Sequence, residues 1–88
     1  MTVYRVEYAR SAAKAIEKMR DHLSAPIRKK IGELAENPRP HGFKKLRGHD
    51  GLYRIRVGDY RVIYEIRDNE LVVLVVRIAD RKDAYWDT

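Results

Sequence analysis

The chain has 88 residues, no cysteine, and 19 Lys+Arg against 13 Asp+Glu, a formal net charge of +6. That length supports one modest core and leaves no room for a second. Disulfides and thiolate metal sites are excluded, and no stretch approaches the ~20 apolar residues that span a bilayer. The N-terminal residues lack the apolar core of a signal peptide, so the expectation is a soluble, cytoplasmic protein with residues 1–88 as a single domain. Cations are spread through the chain with acids between them, which places the charge on a folded surface suited to a polyanion or an acidic protein.

Residues 2–8 alternate, with Val3, Arg5 and Glu7 on one side and Tyr4, Val6 and Tyr8 on the other, which predicts a strand with one face buried. Ser11 is placed to cap a helix whose apolar residues Ala12, Ile16, Met19 and Leu23 recur at helical spacing. Met19 is core filling, not a ligand. Ser24 is placed to cap a second helix, with Pro26 in its first turn, where a missing N–H has no partner to lose. Ile27, Ile31, Leu34 and Ala35 form its buried stripe. Asn37-Pro38 ends it, because the residue before a proline is pushed out of the α region. Two amphipathic helices with almost no linker form an antiparallel hairpin whose apolar stripes need a sheet as cover. Arg28, Lys29 and Lys30 read as the solvated side of the second helix and carry no site.

After a loop at residues 39–42, Phe43 leads through KKLRG and Gly48-His49-Asp50-Gly51 into the stretch around which the chain is organised, LYRIRVGDYRVIY. Two alternating segments flank Gly58-Asp59, the pattern of a β-hairpin with a two-residue turn. Counting outward pairs Val57 with Tyr60, Arg56 with Arg61, Ile55 with Val62, Arg54 with Ile63 and Tyr53 with Tyr64. Tyr53, Ile55, Val57, Val62 and Tyr64 then share one face and Arg54, Arg56 and Arg61 the other. Arginines on the outer face of a sheet are ordinarily just solvated. Here Arg56 directly opposes Arg61, an arrangement that costs on the order of the ~0.2–1 kcal/mol of a cross-strand pair, and three guanidinium groups on one face suit a phosphate backbone.

Beyond Tyr64 the chain turns around residues 67–70 and enters the aliphatic run at 71–76, whose continuity predicts a strand interior to the sheet. Its faces stay open, because a slip of one residue inverts every assignment. Arg77, Arg81 and Lys82 follow, then the tail Tyr85-Trp86-Asp87-Thr88. The expected fold is α+β: an N-terminal strand, a two-helix hairpin and an antiparallel three-strand meander. Both helices pack on one face of a roughly four-stranded sheet, and the arginine face is left open.

His22, His41 and His49 are scattered without ligand spacing, which argues against a metal site and a cofactor. His49 is a candidate substrate contact because it lies in the loop that enters the hairpin. No Walker loop or Gly-x-Ser-x-Gly element is present. Phosphodiester cleavage by a neighbouring 2′-hydroxyl needs neither a metal nor a covalent intermediate. It needs cations around a phosphorane more charged than the ground state, and groups to move two protons. Arginine is a poor base, so Tyr85 and Tyr60 are the better proton carriers, although a tyrosine in such a fold is more often packing.

KKLRG followed by LYRIRVGDYRVIYEI, an aliphatic strand and Arg-Lys-Asp-Ala-Tyr resembles the RelE toxins of toxin–antitoxin pairs over nearly the whole chain. The resemblance implies a microbial-ribonuclease-like α+β fold, cleavage of messenger RNA in the ribosomal A site, and a small RelB-like antitoxin as partner beside ribosome and mRNA. Carried over residue by residue, it implies catalytic roles for Arg54, Arg56, Arg61, Arg81 and Tyr85. Arg54 and Arg56 stand where well-studied members carry lysine and act as electrostatic clamps. Arg81 is implied at the leaving oxygen and Tyr85 in base stacking and proton transfer. Arg47 is implied as a further phosphate contact, with Lys44, Lys45 and His49 as RNA-binding candidates. Two features depart from the family: a shorter interval from Arg81 to Tyr85, with the C-terminal helix of some relatives missing or reduced, and Asp80 beside Arg81, where an acid can pair with it. ParE toxins share the architecture but bind DNA gyrase, and an inert RNA- or ribosome-binding relative is the third reading.

Overall fold

The computed structural model describes residues 3–80. Strand β1 (Arg5–Tyr8) precedes helices α1 (Arg10–Lys18) and α2 (Asp21–Glu36). A two-residue edge strand β2 (Lys44–Lys45) and the meander β3 (Leu52–Val57), β4 (Tyr60–Arg67) and β5 (Val72–Asp80) follow. The sheet order is β1-β5-β4-β3-β2, with β1 parallel to β5 and the other pairings antiparallel. The expected α+β arrangement and meander are therefore present, and β2 makes the sheet five-stranded instead of four. β5 is interior, between β1 and β4, as its aliphatic run predicts.

The core lies between the helices and one face of the sheet. Ala12 and Ile16 of α1 and Ile27, Ile31 and Leu34 of α2 cluster with Ile55, Val62, Tyr64, Val73, Val75 and Ile78. Tyr53 packs on both Phe43 and Tyr64, with ring centroids 5.6 and 6.1 Å away. The buried Tyr64 hydroxyl donates to the Pro38 carbonyl at 2.7 Å, and burial pushes that phenol well above its ordinary range. This aromatic stack fixes the rear of the β3–β4 hairpin to the segment that leaves α2. At the far end of the sheet, Asp68 accepts from the Tyr4 hydroxyl at 2.6 Å and from both terminal nitrogens of Arg39, tying β1, the post-helix loop and the β4–β5 turn together.

The helix boundaries differ from expectation. The break falls at Met19 and Arg20, both extended, and neither Ser11 nor Ser24 is a cap. Leu23, assigned to the first helix, belongs to α2 and is 37% exposed. Ser24 is buried one turn inside α2, its hydroxyl 3.4 Å from the Asp21 carbonyl. Pro26 therefore sits in the second turn, where it denies the His22 carbonyl its usual donor. Both residues are exposed, so water can serve that oxygen. Asp21 in the first turn favours the earlier start through the helix dipole. The Ser11 hydroxyl instead donates to the Val76 carbonyl at 3.1 Å, holding the start of α1 against β5. No helix among the described residues is long and apolar enough to cross a membrane.

Candidate nucleic-acid interface

The β3–β4 hairpin turns through Gly58 at φ 59°, a left-handed value at the first turn position that suits glycine and matches the twist of the flanking strands. The pairings are Val57 with Tyr60, Arg56 with Arg61, Ile55 with Val62, Arg54 with Ile63 and Tyr53 with Tyr64, the register that outward counting predicts. Ile55, Val62 and Tyr64 face the helices, and Arg54, Arg56 and Arg61 share the opposite face.

Registers across the sheet arrange this second face in rows. Nearest the turn stand Arg56, Arg61 and Ala79; next come Lys44, Arg54, Ile63 and Arg77. Leu52, Glu65, Leu74 and Glu7 form the third row, and Arg67, Val72 and Arg5 the fourth. In the last two rows the charges cancel locally: Arg5 pairs with Glu7 at 2.8 Å and Arg67 with Glu65 at 2.9 Å. The first two rows gather Lys44, Arg54, Arg56, Arg61 and Arg77. One half of the face is thus a cationic patch, and the glutamate row bounds it.

Arg77 reaches this patch through a β-bulge. Ile63 pairs with Arg77 but the adjacent Tyr64 pairs with Val75, so Val76 is the extra residue. The bulge lets Val73, Val75 and Ile78 all face the core while Arg77 and Ala79 face the other way. Sequence reasoning assigned Arg77 no role, because an aliphatic run on both sides of a strand carries no phase. The break from that run to a cation was the only local signal.

Lys44 stands opposite Arg54 and joins the patch, whereas Lys45 stands opposite Tyr53 and faces the other side. Arg47 and His49 are exposed in the β2–β3 turn, which is closed by the Leu46 amide donating to the Leu52 carbonyl at 2.9 Å; they stand outside the two cationic rows. Asp80 is paired in register with Tyr60, on the face opposite Arg77 and Ala79. Arg81 and Tyr85 lie outside the described residues. A shallow cavity of about 120 Å³ at the hairpin tip is lined by Arg56, Gly58, Asp59, Tyr60 and Arg61, so the patch has a concave end. Among the described residues no group of three or more His, Cys, Asp or Glu could hold a metal ion.

The class is an α+β domain with helices on one sheet face and guanidinium groups concentrated on the other, a distribution of charge suited to a polyanion. A family model described as the ParE toxin of type II toxin-antitoxin systems, parDE, matches residues 6–85. The chain is 34% identical over 83 residues to Toxin RelE of Mycobacterium tuberculosis, covering 93% of this chain and 86% of that protein. It is 30% identical over 81 residues to the mRNA interferase toxin RelE of Escherichia coli K12, covering 90% and 84%. Among solved structures it is similar to the archaeal RelE–RelB complex of Pyrococcus horikoshii, with a TM-score of 0.78, 30% identity and coverage of 92% of this chain and 97% of that one. The intact RelBE toxin–antitoxin complex of E. coli gives a TM-score of 0.77 at 29% identity, covering 88% and 95%. The chain belongs to the RelE/ParE family of type II toxin–antitoxin toxins.

Proposed function

We propose that this protein is the toxin of a type II pair and acts as a ribosome-dependent endoribonuclease that cuts messenger RNA in the A site and so arrests translation. The observation that carries the reading is the convergence of Arg54, Arg56 and Arg61 on one sheet face, in a protein whose relatives include named mRNA interferases. A small antitoxin of RelB type is the partner, as in the solved complexes of its relatives.

The chemistry requires no metal. The 2′-oxygen attacks the adjacent phosphorus, the bond from phosphorus to the 5′-oxygen breaks, and a 2′,3′-cyclic phosphate remains on the upstream fragment. The 2′-hydroxyl gives its proton to the Tyr85 phenolate, an ionisation that surrounding cations favour, and the departing 5′-oxygen takes a proton from water while Arg81 offsets its charge. Arg54, Arg56 and Arg61 hold the phosphate and neutralise the charge that grows in the phosphorane. Guanidinium groups fixed by strand register need little reorganisation as that charge develops. Loss of one such donor lowers the rate by roughly 10²–10³. Lys44 extends the RNA contacts along the second row, Arg47 and His49 can add to them only from the neighbouring β2–β3 turn, and Lys45, which faces the other side, takes no part.

The family model's description names ParE toxins, which favours gyrase inhibition as the second reading. Primer extension on a defined message programmed into ribosomes separates the two, with wild type, Arg61→Ala and Tyr85→Phe compared and gyrase supercoiling assayed in parallel. The proposal expects discrete A-site cuts that are weakened at least a hundredfold in Arg61→Ala and persist with 1,10-phenanthroline, which strips transition metals but leaves the ribosome's Mg²⁺. The downstream fragment should carry a 5′-hydroxyl. An intact message with inhibited gyrase would move the protein to the second reading.

A further inference from the structure

Arg77 stands in the same row as Lys44 and Arg54 only because Val76 is bulged out of β5. Continued alternation from Val73 and Val75 would have turned residue 77 toward the helices. Two contacts from the start of α1 hold the strand at this point: the Ser11 hydroxyl to the Val76 carbonyl at 3.1 Å and the Ala9 amide to the Val75 carbonyl at 2.8 Å. Keeping a cation out of the core is reason enough for a bulge, and any polar residue would meet that need. The row in which the side chain lands is more specific. Ile63, between Arg54 and Arg77, is 0% exposed, and the Nε atoms of Arg61 and Arg77 are both shut off from solvent. Arginine stems pack down on apolar surface in this way while the planar heads stay on the face. From Arg54 to Arg77 the row crosses two strand spacings of ~4.8 Å, about 10 Å, which exceeds one phosphodiester group, and Lys44 lies one spacing further out on the other side of Arg54.

We infer that Arg77 is a further RNA-binding residue, engaging a backbone phosphate different from the one held by Arg54, Arg56 and Arg61, and marking the β5 end of a track on which the RNA strand crosses the sheet. The rows beyond, in which Glu7 and Glu65 are paired with Arg5 and Arg67, bound that track, since their cancelled charge offers a polyanion no net attraction. This inference rests on the proposed nuclease reading and adds the path of the substrate.

The test is the salt dependence of binding to a short 2′-O-methyl oligoribonucleotide, measured by fluorescence anisotropy for wild type, Arg77→Met, Arg77→Lys and Arg61→Ala, alongside cleavage on programmed ribosomes. Arg77→Met keeps an apolar stem over Ile63 and removes the charge. It should lower the slope of log K against log salt by about 0.7, the contribution of one single-strand phosphate, and weaken binding at low salt several-fold. Arg77→Lys should recover the slope and most of the affinity, a rescue that a merely structural role would not produce. Wild-type slope and affinity in Arg77→Met, with Arg61→Ala impaired, would overturn the inference and leave the nuclease reading intact. Indifference of both binding and cleavage to Arg61→Ala would instead remove that reading, and the inference with it.

Discussion

Arg56 and Arg61 stand directly opposite each other across the β3–β4 hairpin, on the face away from the helices. Like charges in that position oppose folding by up to ~1 kcal/mol. A ligand phosphate between them reverses the sign. Arg56→Thr, which keeps a good strand former at the site, should therefore raise Tm by up to several degrees while lowering cleavage at least tenfold. Thermal unfolding and primer extension on the same preparations check the pair of effects; a lower Tm would show that the repulsion is not what limits the hairpin.

Tyr64 tests whether the scaffold and the site are separable. Its buried hydroxyl serves the Pro38 carbonyl on the helix side, away from the cationic rows. Tyr64→Phe should cost about 1–3 kcal/mol in urea denaturation, the penalty of stranding a buried polar group. Cleavage per folded molecule should stay at the wild-type value.

Acid should loosen the far end of the sheet before it touches the site. Hydrogen bonds from Arg39 and then from Tyr4 hold the Asp68 carboxyl below its ordinary value of 3.8. A depressed folded-state pKa means that the stabilisation is fully present above the unfolded value and is lost as pH falls through the folded one. Stability should thus decline below about pH 4. Asp68→Asn should flatten that part of the Tm–pH profile, and an unchanged acid limb would show that other carboxylates control it.

Ser11 should govern the phase of β5. Removing its hydroxyl in Ser11→Ala takes away the contact with the Val76 carbonyl and should cost about 0.5–1 kcal/mol. Amide hydrogen exchange at Val76 and Arg77 should quicken more than exchange in β3. Uniform acceleration across the sheet would mean that the serine supports the fold generally and not the bulge.

The hairpin was legible because its register is local. Once Gly58 and Asp59 are recognised as the turn, every pairing from Val57 with Tyr60 to Tyr53 with Tyr64 follows by counting, and the period-two pattern leaves one choice of face. The arginine face of β3 and β4 followed by the same counting, and the interior position of β5 followed from its unbroken aliphatic run, which needs cover on both faces. The break between the helices was misplaced because Ser24 and Pro26 look like a helix start, whereas Asp21, the local cue for the earlier one, reads equally well as an acid on the solvated side of the first helix.

The phase of β5 belonged to the tertiary structure alone. A run of Leu, Val, Val, Leu, Val and Val satisfies burial on either side, so the strand takes its phase from contacts made elsewhere: the pairing with β4 and the hydroxyl of Ser11, 65 residues from Val76. Those contacts insert the bulge, turn Ile78 inward and bring Arg77 beside the row that Lys44 and Arg54 occupy. A local pattern can specify a register that a two-residue turn enforces; it cannot specify one whose partner lies at the other end of the chain.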